Sequence, residues 1–252
     1  MEKAVVFVEL THKSPEFDAA YDVIGADIAP EYLETMDFLR DRLRVGEEGP
    51  KSGKEKILLQ DGYTLHLIAA KEGDKVVGAI YGHLISRITG ENKAVGFVTY
   101  ITVHREHRRH GIATALIREL QRVVEQEALR LTGRSIFGMV YEIEEEGKEE
   151  IKATVVKLGA RPLDIVYYQP ALRIGYEPEQ IHLWFQPVPV LSPPDFSAFS
   201  LPADTVEGIV RNMLAMEYVG PELRGFDPAA KPYTAFLESM KGRKDIGFIE
   251  PR

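Results

Sequence analysis

Tyr100-Ile101-Thr102-Val103-His104-Arg105-Glu106-His107-Arg108-Arg109-His110-Gly111-Ile112-Ala113-Thr114 reads as a strand that runs into a basic turn and then a helix. The first turn of a helix carries unpaired amide hydrogens and the positive end of the helix dipole, so phosphate oxygens bind there well. Gly111 and Ala113 have little or no side chain and let the backbone approach a pyrophosphate, while Arg105, Arg108 and Arg109 add charge. A phosphorylated ligand fits this chemistry. The stretch contains neither Gly-x-x-x-x-Gly-Lys-Ser/Thr nor Gly-x-Gly-x-x-Gly, which weighs against nucleotide hydrolases and dinucleotide enzymes.

Upstream, 64–70 and 76–85 read as two strands, joined by the charged turn Lys71-Glu72-Gly73-Asp74-Lys75, and 93–103 as a third. Residues 5–9 predict a short strand, Ser14-Pro15 an N-cap with proline at the first helical position, and Phe17 to Leu43 two helices separated at Pro30. Residues 46–56 predict a mobile loop. Downstream, Leu116, Ile117, Leu120, Val124 and Ala128 mark the apolar side of a long helix starting at Ala113. A strand at 135–141, a helix at 148–158 stopped by Gly159, and strands at 165–169 and 182–186 follow. Prolines crowd 187–202, which places the main boundary there: 1–186 as one domain, and 187–252 as a proline-rich linker with a helical extension at 205–219 and 232–240. The extension holds too little apolar surface for a core of its own and is expected to pack on the main domain, capping a site or making a homodimer.

Composition narrows the function. With 31 basic against 39 acidic residues and a net charge of −8, a chain-wide nucleic-acid footprint is disfavoured, and a cationic acceptor is mildly favoured. The absence of cysteine excludes disulfides, thiolate metal sites and a cysteine nucleophile. No secretory signal or run of eighteen apolar residues is present, so the expectation is a cytoplasmic protein that does not cross a membrane. His104, His107 and His110 straddle a loop without carboxylates in a fixed frame, so no metal is expected.

Arg108-x-x-Gly111-x-Ala113 resembles the Arg/Gln-x-x-Gly-x-Gly/Ala signature of the GCN5-related N-acetyltransferases (GNAT). Val77-Gly78 after the charged turn and Lys157-Leu158-Gly159-Ala160 are similar to that family's flanking motifs, and the likeness spans about 4–186. The resemblance implies an α/β (α+β) fold, a mixed and mostly antiparallel sheet flanked by helices. It implies acetyl-CoA as cosubstrate, with the pyrophosphate on Arg108, Arg109, His110, Gly111, Ile112, Ala113 and Thr114, and pantetheine along Ile101, Thr102 and Val103. The reaction implied is direct acetyl transfer to the primary amine of a small molecule or peptide.

The family's usual tyrosine acid and its asparagine fall here on Val155 and Lys148. Tyr168 as acid and Glu142 as base are the candidates from this sequence, with Tyr141, Tyr167 and Glu144 beside them. His83 reads as a structural histidine, and the 167–186 segment with Trp184 as a wall suited to a longer acyl group. A non-catalytic CoA-binding sensor is the alternative function, favoured by the missing acid.

Overall fold

Apolar residues on both sides of 63–88 and 93–103 commit these segments to strands covered on two faces. The chain opens with β1 (Val5–Leu10), and β2 (Tyr63–Glu72), β3 (Lys75–Ile88) and β4 (Lys93–Val103) continue the sheet antiparallel from it. β5 (Gly138–Ile143) then lies parallel to β4, and β8 (Glu179–Pro187) antiparallel to β5, carrying β6 (Arg161–Pro162) and β7 (Tyr167–Gln169) on its other edge. The computed structural model describes residues 4–49, 51, 63–88, 93–144, 148–170, 177–188, 199–217 and 231–251. The expected loop at 46–56 falls mostly outside them; α2 (Met36–Glu48) already takes its first residues. The proline-rich 189–198 also lies outside.

Strand alternation divides the core into two layers. Leu65, Leu67 and Ala69 face α1 (Phe17–Gly25) and α2, burying Phe17, Ala20, Ile24, Leu39 and Leu43. Ile68 and Ala70 face the other way, towards α3 (Ile112–Thr132) and α4 (Glu149–Lys157). The α3 stripe Ile112, Leu116, Ile117, Leu120, Val123, Val124 and Ala128 is buried, and each larger side chain contributes about 1.5–3 kcal/mol on leaving water. Gly133 ends that helix at φ 71°, its N–H bonded to the Leu129 carbonyl.

Two sequence expectations shift locally. Ser14 accepts from the Thr11 N–H and its carbonyl receives the Phe17 N–H, so it closes a turn, and α1 starts two residues beyond Pro15 with Glu16 at its N-cap. Trp184 is not a pocket wall: it is 1% exposed and packs in the core beneath α3 and α4. The C-terminal helices α5 (Ala203–Glu217) and α6 (Lys231–Met240) do pack on the sheet. Val206, Ile209, Met213 and Phe236 share one cluster with Phe97, Val140, Leu183 and Phe185. A two-residue pairing of β9 (Leu201–Pro202) with β10 (Asp245–Ile246), too short to leave a pattern, ties the ends of this extension together.

One irregularity shapes the centre of the sheet. Tyr81 pairs with Tyr100 but Gly82 pairs with Val98, so Thr99 is an extra residue bulged out of β4. Pairing with β5 covers only Val95 to Val98, ending opposite Tyr141. Beyond it the two parallel strands separate. Gly82 sits beside the bulge because a Cβ there would lie 2.5 Å from the Phe97 carbonyl oxygen and 2.6 Å from Leu120 Cδ2. Gly82→Ala is therefore expected to push α3 off the sheet and cost about 1–3 kcal/mol in urea unfolding; an unchanged midpoint would show that the helix yields freely there.

Candidate functional site

The turn after β4 is held by its own side chains. The Arg108 guanidinium donates from Nε to the Val103 carbonyl at 2.9 Å and from Nη2 to Asp27, at the end of α1. Arg108 thus braces the turn rather than presenting a free charge, which refines its expected role. Arg109 (φ 65°) and Gly111 (φ 78°) both adopt the left-handed conformation. Gly111 is the N-cap of α3, contributes no capping side chain, and has open space where a Cβ would stand. The amides of the first helical turn are consequently left for a ligand. Arg109 is bound to Glu150 of α4 at 3.1 Å, with both side chains mostly exposed. An exposed pair of this kind is worth at most about 1 kcal/mol, so an anion can take Glu150's place.

Ile101, Thr102 and Val103 line the diverging half of β4. Ile101 is half-buried, and Thr102 and Val103 are nearly closed, with the Thr102 hydroxyl 3.4 Å from the Ile24 carbonyl it donates to. A cavity lined by Val23, Ala26, Asp27, Thr102, His104 and Arg108 opens beside the turn. His110, Gly111 and Arg109 are exposed, Ala113 and Thr114 half-buried, and Ile112 buried under the helix.

Residues 32–134, less than half of the chain, match the family model described as the Acetyltransferase (GNAT) family. Over those residues the chain matches the GNAT acetyltransferase domain. Its fold is similar to that of the NatC complex solved with a Gag peptide and CoA, at 15% identity over 75% of this chain and 99% of that one, with a TM-score of 0.50. It is equally similar to ribosomal-protein-alanine N-acetyltransferase from Brucella melitensis, at 14% identity over 73% of this chain and 99% of that one, TM-score 0.50. At such identities the likeness is one of fold. No curated protein sequence matches the chain.

Across the gap from β4, the fold places Glu142 on β5 beyond the last paired residue. The Tyr167 hydroxyl donates to its carboxylate. Burial pushes the Glu142 carboxyl up to about 7, against the lowering effect of that hydrogen bond. Sequence reasoning put Tyr168 forward as the acid; neighbouring strand residues point to opposite faces, and it is Tyr167, 1% exposed, that turns inward to Glu142. Nothing in the run Val166-Tyr167-Tyr168 discloses its phase, because both tyrosines suit a strand. Tyr141 points to the other layer and donates to Gln186 Oε1 at 2.5 Å. Glu144 pairs with Lys148 at 3.5 Å, on the rim.

The layer covered by α1 and α2 holds polar groups that the sequence did not advertise. Arg42 and Glu34 form a buried ion pair, at 2% and 4% exposure. Tyr100, next to the bulge, accepts the Glu34 N–H at 3.2 Å, and Tyr21 donates to the Glu34 carbonyl at 2.8 Å. His83 is fully buried between Tyr81 and Phe97, and burial together with the Arg42 charge holds it well below the ordinary imidazole range. It is therefore neutral, consistent with a structural part. Val155 is buried and apolar, so α4 supplies no acid at that position.

The fold does bring two of the loop histidines close to carboxylates, though Glu106 is largely exposed. His104, Glu106 and His107 offer donor atoms within 4.8 Å of one another, and Glu72 approaches His107 to 3.3 Å. His110 stands apart from this group, exposed on the turn.

A carboxyl raised from 4.5 to about 7 in the folded state binds its proton more firmly there than in the unfolded chain. Stability must then fall as pH rises from about 4.5 to about 7, and the ionised form stays costly above that range. Glu142→Gln is expected to raise Tm at pH 8 by roughly 3–6 °C and to change it little at pH 4.5. A melt series in which the two proteins differ equally at both pH values would contradict this account of the carboxylate.

Proposed function

We propose that the protein is an acetyl-CoA-dependent N-acetyltransferase that uses Glu142 as general base. The observation that carries this reading is the parting of β4 from β5 at Thr99, with an uncapped helix N-terminus at one end of the gap and a carboxyl titrating near neutrality on its far strand. The amides of the 108–114 turn hold the pyrophosphate. The free edge of Ile101 to Val103 receives the pantetheine as an added strand, which directs the thioester to the bulge. A backbone amide of the 100–102 segment polarises the thioester carbonyl and stabilises the oxyanion that develops during attack.

Direct attack needs a neutral amine. Glu142, ionised above about pH 7, removes the ammonium proton, directly or through water, and Tyr167 keeps its carboxylate oriented. The thiolate leaves as a fairly stable anion and takes a proton from solvent or from the protonated Glu142. The acceptor is the primary amine of a small molecule or peptide. The net charge of −8 suits a cationic one.

A second reading, a CoA-binding sensor without turnover, is favoured by the apolar Val155 on α4. Titration calorimetry with acetyl-CoA on the wild type and on Gly111→Glu, followed by thiol release over an amine panel, separates the two. The chain has no cysteine, so a thiol reagent reads free CoA without protein background. Expected are saturable binding that Gly111→Glu loses, and turnover whose kcat/KM rises with pH to a plateau above about 7. Glu142→Gln should keep the binding and lose about 10²–10⁴-fold in kcat. Binding without release of CoA to any amine favours the sensor, and no binding at all removes both readings.

A further inference from the structure

We propose that His104, Glu106 and His107, joined by Glu72, form a site for a borderline-soft divalent cation such as Zn²⁺, next to the cofactor turn but separate from it. The 3₁₀ turn at Arg105–His107 brings the donors together, since residues three apart eclipse in such a turn, and His104 is its N-cap and His107 its last residue. Their rings meet edge to face with centroids 6.0 Å apart. Glu106 Oε2 lies 3.8 Å from His104 Nδ1, and Glu72, from the end of β2, reaches 3.3 Å from His107 Nδ1.

A second observation points to a ligand. His104 Nδ1 is buried and has no hydrogen-bond partner among the described residues, although the rest of its ring is substantially exposed. A buried ring nitrogen without a partner is costly, and a metal ion between it and the carboxylates satisfies it. Two imidazoles with one or two carboxylates match zinc, nickel or copper rather than magnesium or calcium, which take oxygen donors. Donor atoms up to 4.8 Å apart close to bonding distance through small rotations of Glu106 and His107, whose side chains are not packed in the core. Lys75 Nζ stands 3.9 Å from Glu106 Oε2 on a mostly exposed side chain, free to swing into solvent when a cation arrives. The His104 N–H donates to the Val77 carbonyl at 2.8 Å, so a bound ion would fasten the turn to the sheet just ahead of Arg108.

The test uses the full chain, stripped with a chelator and titrated with Zn²⁺ against a chromophoric competitor, without acetyl-CoA so that the result is independent of the proposed activity. One equivalent is expected to bind. His107→Ala should weaken binding by roughly 100-fold and Glu72→Gln by roughly 10-fold, while His182→Ala, on β8, should leave it unchanged. Co²⁺ should give the visible absorption of a low-coordinate nitrogen and oxygen site in the wild type and lose it in His107→Ala. Circular dichroism confirms that each variant is folded, and Glu72→Gln keeps the test informative where an alanine variant is not. Substoichiometric zinc, or equal affinity in wild type and His107→Ala, overturns the proposal.

Discussion

Two parallel strands stay together only while each finds the other's amides and carbonyls in register, and β4 loses that register through a single added residue. Thr99 bulges out opposite the Tyr81–Gly82 step, the bulge increases local twist, and pairing with β5 ends at the residue before it. Backbone groups that a closed sheet would use internally are thereby released on two facing edges. A buried polar backbone left without partners costs too much to persist, so the gap has to face either solvent or a polar ligand. The rest of the architecture keeps this gap open at a defined width: Gly82 lets α3 press against the sheet beside the bulge, and the Glu34 N–H clamps Tyr100 on the opposite layer.

The charges around the gap fall into two kinds. Arg108 and Asp27, and Arg42 and Glu34, are committed to each other and fix the loops that bound the site. Removing one partner of the buried Arg42–Glu34 pair leaves an uncompensated charge, a loss of about 3–5 kcal/mol, so this pair defines the loop between α1 and α2 more than it adds stability. Arg109 is held weakly by Glu150 in solvent, and Glu142 is ionised only at a cost to the fold. Groups of the second kind are suited to exchange one partner for another as a ligand enters, and they stand at opposite ends of the gap.

Legibility in the sequence followed the length scale of each feature. The strand, turn and helix from Tyr100 to Thr114 were readable because a β-branched run, a basic cluster and an amphipathic stripe meet within fifteen residues, and the extent of β4 agrees with its reading to the residue. The sheet edge at β6 and the β9–β10 pairing were not, since two residues carry no period. The Thr99 bulge leaves no mark either: Phe97 to Val103 alternates acceptably with or without it. Tyr167 and Tyr168 exchange roles with a one-residue change of phase, a choice made by the partner strand and not by local preference. Glu72 joining His107, and Glu34 joining Tyr100, link residues 35 and 66 positions apart, distances at which only the tertiary fold can say who meets whom.

The C-terminal extension bears on the proposed base through this same question of phase. Ser239 on α6 accepts the Val166 N–H at 3.1 Å, and Arg243 just beyond it donates to the Asp164 carbonyl at 2.6 Å and carboxylate at 2.7 Å. These bonds hold the short segment that leads into β7, where three residues paired with β8 could not fix their own orientation. Tyr167 then has one face available, the one that Glu142 occupies, and α5 covers the neighbouring apolar surface with Val206, Ile209 and Met213 against Phe97 and Val140. The same packing buries the extension's apolar face, and burial is what raises the Glu142 carboxyl towards neutrality. An extension too small to form a core alone in this way fixes the segment that carries the hydrogen-bond partner of Glu142.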